Sequence, residues 1–436
     1  MARLFLIVYN LIFPIAFLLY SPIYLRKLIR RGGFWAGFGE RFGIFSAAKK
    51  QRLREWRSPV WIHAVSVGEA IAALAFIRHW TEREPERRFV ISTTTSTGQK
   101  IVRDKAPENV VPIYCPVDFF LFVGRALRLI RPAALVVFEV EIWPTFVCMA
   151  ASHGRRVALV NCRMSDHSAA GYARHSWFFS YVFSRFSLIC VQSDADADRV
   201  RRVTGDLPQI HVCNTMKFDQ SVELCADGAE MLIERAFGAD DRLIVTGAST
   251  WPGEEDILIE AYRELAAEIT SLRMILVPRH VERSAEIGKA LRAAGIDFNR
   301  YTDLKRNGAT DAKQSPVLLV DSTGEMMSVL AVSDVVFVGK SLAGNVGGHN
   351  IIEPAIFGKP ILHGDNMDNF RLVARIFRDN DASVEVANGE QLRRELRRLV
   401  ADPRARARLG KASRETVDQQ RGATEKTIRL LNEQGV

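Results

Sequence analysis

The chain has 436 residues, 48% of them hydrophobic and 25% charged, and a formal net charge of +9. That length exceeds one ordinary core and predicts two domains, while the composition excludes a mainly disordered protein. The positive excess predicts an anionic partner, whether nucleic acid, a phosphorylated small molecule or a membrane surface.

The first element, "LFLIVYNLIFPIAFLLYSPIYL" at residues 4–25, carries no charge and is long enough to cross a bilayer. Arg26, Lys27, Arg30 and Arg31 follow it, against the single Arg3 before it, which keeps the downstream body cytoplasmic. Those basic residues stand where a signal peptide needs small cleavage-site residues. Asn10, Pro14 and Pro22 interrupt a straight spanning helix, so a shallow monotopic anchor is the alternative to a span. Either form holds the body at the cytoplasmic membrane surface, with residues 1–31 as anchor and basic flank.

The body alternates β-rich runs with amphipathic helical stretches. "VWIHAV" leads into "GEAIAALAFIRHWTERE", and "RFVISTTT", "VVPIY", "ALVVFEVE", "RVALVN" and "SLICVQ" continue the rhythm. It lapses around residues 219–228 and restarts with "RLIVTGAST", "RMILVPRH", "PVLLVDSTGE", "DVVFVGKS" and "KPILHGD". The pattern predicts an α/β protein with parallel sheets covered by helices. Two Rossmann-like domains are expected to face each other across a cleft, at residues 32–217 and 229–415. Residues 218–228 form the linker, and a closing helix covers 416–436. The six cysteines include no CxxC pair and lie mostly in apolar runs, which favours buried free thiols over a zinc site or disulfide framework.

Several strands end in short Gly-containing turns that open helices: "VSVGEA", "STTTSTGQK", "GASTWPGEE", "DSTGEM" and "GNVGGHNIIEP". In a parallel sheet these loops share one edge, where helix N-termini present unpaired N–H groups suited to phosphate. Arg279 comes directly off a strand in "VPRH" and can fork onto phosphate oxygens. Gly347–Gly348 would let a ligand reach the main chain. The helix beginning near Asn350 would aim its N–H groups at that ligand, and Glu353 would accept from ribose hydroxyls. The alternative is a capped turn in which Glu353 complements the helix dipole. "SDADAD", residues 193–198, reads as a capped helix start more readily than as a metal-binding Asp-x-Asp. No HExxH, GxSxG or GxxxxGK[ST] occurs, which removes the common zinc, serine-hydrolase and P-loop readings.

The candidate chemistry lies with carboxylates of the first domain. Glu69 stands where a strand gives way to a helix, where dipole complementation is its alternative role. Glu139 and Glu141 end an apolar strand, and period-2 alternation predicts that they share a face. Two like charges at the end of a buried strand require a cationic or hydroxylated counterpart.

With these residues in place, the chain resembles the bacterial 3-deoxy-D-manno-octulosonic acid (Kdo) transferases, which move Kdo from CMP-Kdo to a lipid A precursor. "HAVSVGEA", "EVEIWP", "NCRMSDHSAAGY", "NTMKFD", "GASTWPGEE", "LVPRHVER", "DSTGEM" and "GGHNIIEPAIFGKP" occur in that family's order and approximate spacing. The match extends from the anchor to "GDNMDNF". The resemblance implies a GT-B fold, with a C-terminal CMP-sugar-binding domain and an N-terminal acceptor-side domain. It also implies a monotopic inner-membrane location and no metal or other cofactor. Glu69 matches the catalytic base, and Glu139 and Lys217 match residues that stabilise the transition state. The CMP contacts fall on Pro278, Arg279, Thr323, Gly324 and Glu325, and on Asn350, Ile351, Ile352 and Glu353. Four positions depart from the family pattern: Val140 within "EVE", Trp251 in place of a His, Lys340 in place of a Gly, and Asp365 in place of a Pro. A nucleotide-sugar epimerase, or a transferase using another nucleotide sugar, is the alternative, and the apolar N-terminus argues against the epimerase. Nucleic acid is not expected as a partner, because no aromatic-basic stacking pattern accompanies the charge.

Overall fold

A computed structural model describes residues 4–13, 15, 19, 37–219, 233, 235–238, 242–307 and 314–436. Much of the expected anchor and basic flank, and all of the expected linker beyond residue 219, lie outside the described residues. Two compact units are present, Met1–Gln220 with Arg421–Val436, and Ser221–Gln420.

The first unit is built on seven strands: β1 Val60–His63, β2 Phe89–Thr93, β3 Val110–Tyr114, β4 Ala134–Phe138, β5 Arg156–Cys162, β6 Leu188–Val191 and β7 Ile210–Val212. They pair in parallel in the order β3-β2-β1-β4-β5-β6-β7. Runs such as Val60–His63 and Ala134–Phe138 are buried at every position, as strands covered on both faces must be. One face packs Trp61, Leu135, Phe146 and Leu159, and the other packs Ile62, Phe76, Trp80 and Phe138. Helices start where Ser66, Thr95, Ser165 and Ser193 each accept an N–H of their own first turn. The "SDADAD" stretch is such a start: Asp196 is buried and accepts the Met164 N–H at 3.1 Å.

The chain returns to this unit at its end. Helix Ala423–Glu433 sets Ala423, Ile428 and Leu431 into the second of those faces. Asp219 clamps its start, accepting the N–H groups of Gly422 at 2.7 Å and Thr424 at 2.5 Å.

Residues 4–13 are helical and lie against the same unit. Tyr9 donates its hydroxyl to Asp118 at 3.0 Å, and Asn10 donates to Thr145 Oγ1 at 2.9 Å while accepting the Phe120 N–H at 3.0 Å. Phe5 stacks on Trp177 and Phe178, whereas Leu4, Ile7, Leu11 and Ile12 stay exposed. Among the described residues no helix is long and apolar enough to cross a membrane.

The second unit has its own seven parallel strands: β8 Leu243–Thr250, β9 Leu272–Pro278, β10 Phe298–Arg300, β11 Val317–Leu319, β12 Val335–Val338, β13 Ile361–Gly364 and β14 Val384–Val386. Their order is β10-β11-β9-β8-β12-β13-β14. In each sheet the order reverses around a central pair, β1/β4 in the first and β8/β12 in the second. Crevices at such reversals, outside the carboxyl ends of the strands, are where open α/β sheets bind ligands.

Candidate functional site

In the first unit Glu69 follows β1. Ser66 Oγ accepts the Glu69 N–H at 3.3 Å, while the Glu69 carboxylate accepts the N–H groups of Val65 at 2.9 Å and Ser66 at 3.2 Å. This capping box opens helix Val67–Arg83 and fixes the carboxylate, which is 7% exposed. Each carboxylate oxygen spends one lone pair on the backbone and retains another.

Glu139 follows β4 across the strand reversal. The strand closes at Phe138, and Glu139 turns into the left-handed region at φ +57° with its N–H on the Val160 carbonyl at 3.0 Å. Strand alternation therefore does not place Glu139 and Glu141, contrary to the expectation from "VVFEVE". The left-handed turn aims them instead. Burial raises the Glu139 carboxyl, the charge of Glu69 adds to that, and Lys217 and Arg163 pull it back. Burial and Glu69 likewise raise Glu141. Lys217 is lowered by burial and by Arg163, and supported by Glu139. The structure thus brings Glu139 into the fields of both Glu69 and Lys217, with Arg163 and Glu141 in the same group.

Two more left-handed residues build the Lys217 side. Asn161 (φ +52°) interrupts the β5–β6 register, and its Oδ1 accepts the Met216 N–H at 3.2 Å. Asn214 (φ +66°) leads into the turn Met216–Asp219 that carries Lys217. Non-glycine residues in this region cost about 1 kcal/mol each, and such strain clusters where side-chain direction matters.

In the second unit the central feature is Glu254, at the start of helix Glu254–Ala266 and fully buried. Its Oε2 accepts the N–H groups of Trp251 and Lys340, and its Oε1 those of Ser341 and Leu342, all at 2.9 Å. Burial pushes this carboxyl up while the four amides favour its ionised form. It ties the turn after β8 to the turn after β12. Beside it, Glu255 receives Arg283 at 2.7 and 3.3 Å, which anchors the segment following β9. In sequence both look like acidic residues complementing a helix dipole, and only the tertiary partners separate them from that role.

Around this frame stand the cations. Arg279 is exposed directly after Pro278, with its N–H on the Thr250 carbonyl at 3.1 Å. Lys340, at φ +62°, holds its ammonium 4.8 Å from the centroid of Trp251. Trp251 Nε1 donates to His349 Nε2 at 3.0 Å. An indole can only donate, so the neutral His349 ring carries its proton on Nδ1. Burial and the charges of Arg279, Lys340 and His280 lower His349 to about 4. Glu353 is half-buried, raised by burial and moderated by Asn350, which donates at 3.2 Å, and by the charge of Arg279. Arg279, His349, Asn350 and Glu353 are therefore one group, and Trp251 and Lys340 touch each other inside it.

Other expectations are revised. Helix Ile352–Ile356 starts two residues after Asn350 and has only five residues, with the Ile352 N–H capped by Asn350 Oδ1 at 3.1 Å. Gly347 (φ +121°) and Gly348 (φ +64°) are required by the packing of the chain itself. A Cβ on Gly347 would lie 2.6 Å from Asn369 Nδ2, and one on Gly348 would lie 2.3 Å from Met367 Sδ. The glycines admit the chain's own residues 367–369 and bond back to Lys340, whose carbonyl accepts the Gly348 N–H at 2.8 Å. Thr323 and Gly324 are exposed, whereas the Glu325 carboxylate is engaged by Tyr301 at 2.5 Å and Lys305 at 2.8 Å. Ile351 and Ile352 are buried. Among the described residues no group of three His, Cys, Asp or Glu side chains has the arrangement of a metal centre. The described cysteines, Cys115, Cys148, Cys162, Cys190 and Cys213, are free and buried, and Cys225 lies outside the described residues.

The profile of one protein family, 3-deoxy-D-manno-octulosonic-acid transferase (kdotransferase), matches residues 36–220. A 3-deoxy-D-manno-octulosonic acid transferase of Haemophilus influenzae is 29% identical over 414 residues, covering 94% of this chain and 92% of that protein. One from Rickettsia felis is 30% identical over 345 residues, covering 79% of this chain and 72% of its own length. A solved glycosyltransferase from Rickettsia africae superposes with a TM-score of 0.57 at 11% identity, over 87% of this chain and 99% of that one. That likeness is one of fold, and it describes the α/β architecture as GT-B-like.

Proposed function

The chain belongs to the 3-deoxy-D-manno-octulosonic acid (Kdo) transferase family, and we infer from this that it is a CMP-Kdo-dependent glycosyltransferase of lipopolysaccharide biosynthesis. Its acceptor in this reading is a lipid A precursor, met at the cytoplasmic face of the inner membrane. The exposed Leu4, Ile7, Leu11 and Ile12 support a membrane-surface location.

Glu69 is the general base. Its carboxylate takes the proton of the acceptor hydroxyl as that oxygen bonds to the anomeric carbon of Kdo. The bond from that carbon to the phosphate oxygen breaks, and CMP departs with the electron pair, so the configuration inverts. A base held by two amides keeps its free lone pairs in fixed directions, as positioning of a reacting group demands. Glu139 and Lys217 balance charge around the reacting carbon. Arg279 meets the departing phosphate, backed by Lys340 and the Nδ1–H of His349, so the charge is met without a metal. Glu353 and Asn350 take the ribose side. Thr323 and Gly324 border the nucleotide with Pro278, Ile351 and Ile352, and Glu325 contributes by bracing its loop through Tyr301 and Lys305.

The observation that carries this reading is that Glu139, turned left-handed at the β1/β4 reversal, lies in the fields of both Glu69 and Lys217. Mass spectrometry of a lipid A precursor incubated with the protein and freshly generated CMP-Kdo tests it. A gain of one or more Kdo units, absent with Glu69→Ala, is the expected result. No gain with CMP still bound would assign a different sugar or acceptor.

A further inference from the structure

In the first unit, helices Ala47–Glu55 and Phe120–Ile130 border a groove that the functional site does not use. Its floor is the turn at Gly43, where φ is +71° and a Cβ would lie 2.8 Å from Arg125 Cβ. The groove has a volume of about 610 Å³ and is walled by Lys50, Arg54, Arg125, Arg128 and Arg131. Among the described residues none of these five forms an ion pair. Among the described residues Arg125 and Arg128 donate to the carbonyls of Phe42 and Gly124, at 3.4 and 3.0 Å. Glu55 borders the adjoining recess with Lys50 and Arg54, and it accepts from Gln51 at 3.0 Å. Five like charges with a single carboxylate at their edge repel one another, and an anion relieves that repulsion.

The opposite end of helix Phe120–Ile130 is apolar. Phe120 and Leu121 are 48% and 43% exposed, and the Phe120 N–H joins Asn10 of the N-terminal helix at 3.0 Å. That helix exposes Leu4, Ile7, Leu11 and Ile12, and Trp177 flanks it, stacked on Phe5 at 4.8 Å and 49% exposed. Along helix Phe120–Ile130, at 1.5 Å per residue, Arg125, Arg128 and Arg131 stand about 8, 12 and 16 Å from the apolar end at Phe120. Apolar side chains, an aromatic flank and cations arranged in this way match the acyl, interfacial and phosphate layers of a bilayer surface.

We propose that the groove binds the phosphate of an anionic phospholipid headgroup and seats the first unit on the membrane with its N-terminal apolar face turned into the bilayer. The proposal rests on the membrane-surface reading above and is independent of the sugar transferred.

The test is flotation of the full-length protein with phosphatidylcholine vesicles and with vesicles containing phosphatidylglycerol. The variant is K50Q/R54Q/R131Q, whose three side chains make no hydrogen bond among the described residues. Wild type is expected on both vesicles and more tightly on the anionic ones. The variant should lose on the order of a hundredfold of the anionic binding, at the increment typical of each of three basic residues near a charged surface. Its binding to neutral vesicles and its thermal midpoint should be unchanged. Equal anionic binding by variant and wild type overturns the groove alone, as does equal loss on neutral vesicles. Displacement of wild type by inorganic phosphate at constant ionic strength overturns the lipid assignment in favour of a soluble phosphate. Binding to neither vesicle overturns the membrane-surface reading itself.

Discussion

The ammonium of Lys340 sits 4.8 Å from the centroid of the Trp251 ring. A cation over an indole is worth about 0.5–2 kcal/mol. The left-handed backbone of Lys340 costs about 1 kcal/mol, which glycine would not pay. Lys340→Gly is therefore expected to leave the thermal midpoint nearly unchanged while weakening CMP binding about fivefold, through the loss of one charge near the phosphate. Calorimetric titration with CMP checks this, alongside a double-mutant cycle with Trp251→Leu. Independent effects of the two substitutions would show that the contact has no energetic weight.

Glu254→Ala strands the N–H groups of Trp251, Lys340, Ser341 and Leu342 in a buried site. Each unsatisfied donor costs about 1–3 kcal/mol, so the loss should reach several kcal/mol. Hydrogen exchange should rise first at residues 339–343, and CMP binding should disappear with the order of that turn. Glu254→Gln keeps the shape and is expected to recover part of both.

Glu69→Gln separates helix capping from chemistry. Glutamine keeps one acceptor oxygen and with it the capping-box bond to Ser66, while loss of the second acceptor, toward Val65, costs about 1 kcal/mol of stability. Loss of a general base costs about 10²–10⁴ in turnover. The expected result is a small drop in thermal midpoint, an unchanged CMP dissociation constant and a fall in kcat of at least about a hundredfold. Near-normal kcat would leave Glu69 as a helix cap only.

His63 is fully buried at the end of β1, with Nδ1 2.9 Å from Ser92 Oγ, and burial lowers it to about 4. Between pH 6.5 and about 4 the unfolded chain binds a proton that the folded chain refuses, so stability falls as pH falls. The full effect is about 3 kcal/mol. Asp118 acts with the opposite sign: burial raises it to about 6, so its contribution grows as pH falls through that value. Comparing wild type with His63→Gln isolates the histidine. Urea unfolding midpoints should converge as pH drops from 7 to 4, and parallel curves would show that His63 does not titrate in this range.

The alternation of β-rich and amphipathic runs was enough to read two parallel α/β units, because strands covered on both faces leave unbroken apolar runs such as "ALVVF". The clusters behind the strand ends were less legible. Glu139 defeats the alternation rule because the chain turns left-handed one residue after Phe138. Gly347 and Gly348 read as ligand access because the Asn369 and Met367 that fill the space come some twenty residues later. Glu254 reads as a first-turn acid because nothing local shows that three of its four amides come from residues 340–342. The docking of helix Ala423–Glu433 on the first unit has no local signal either, since its apolar spacing would suit any partner face.

That docking has a consequence for biosynthesis. The first unit lacks part of one hydrophobic face until Ala423, Ile428 and Leu431 have been translated, and all of Ser221–Gln420 must be made before them. At about 5–20 residues per second the wait is on the order of 10–40 s. Through that interval Ile62, Phe76 and Trp80 belong to a surface that is complete only in part. A nascent chain stalled before residue 421 should be a better chaperone client than the finished protein.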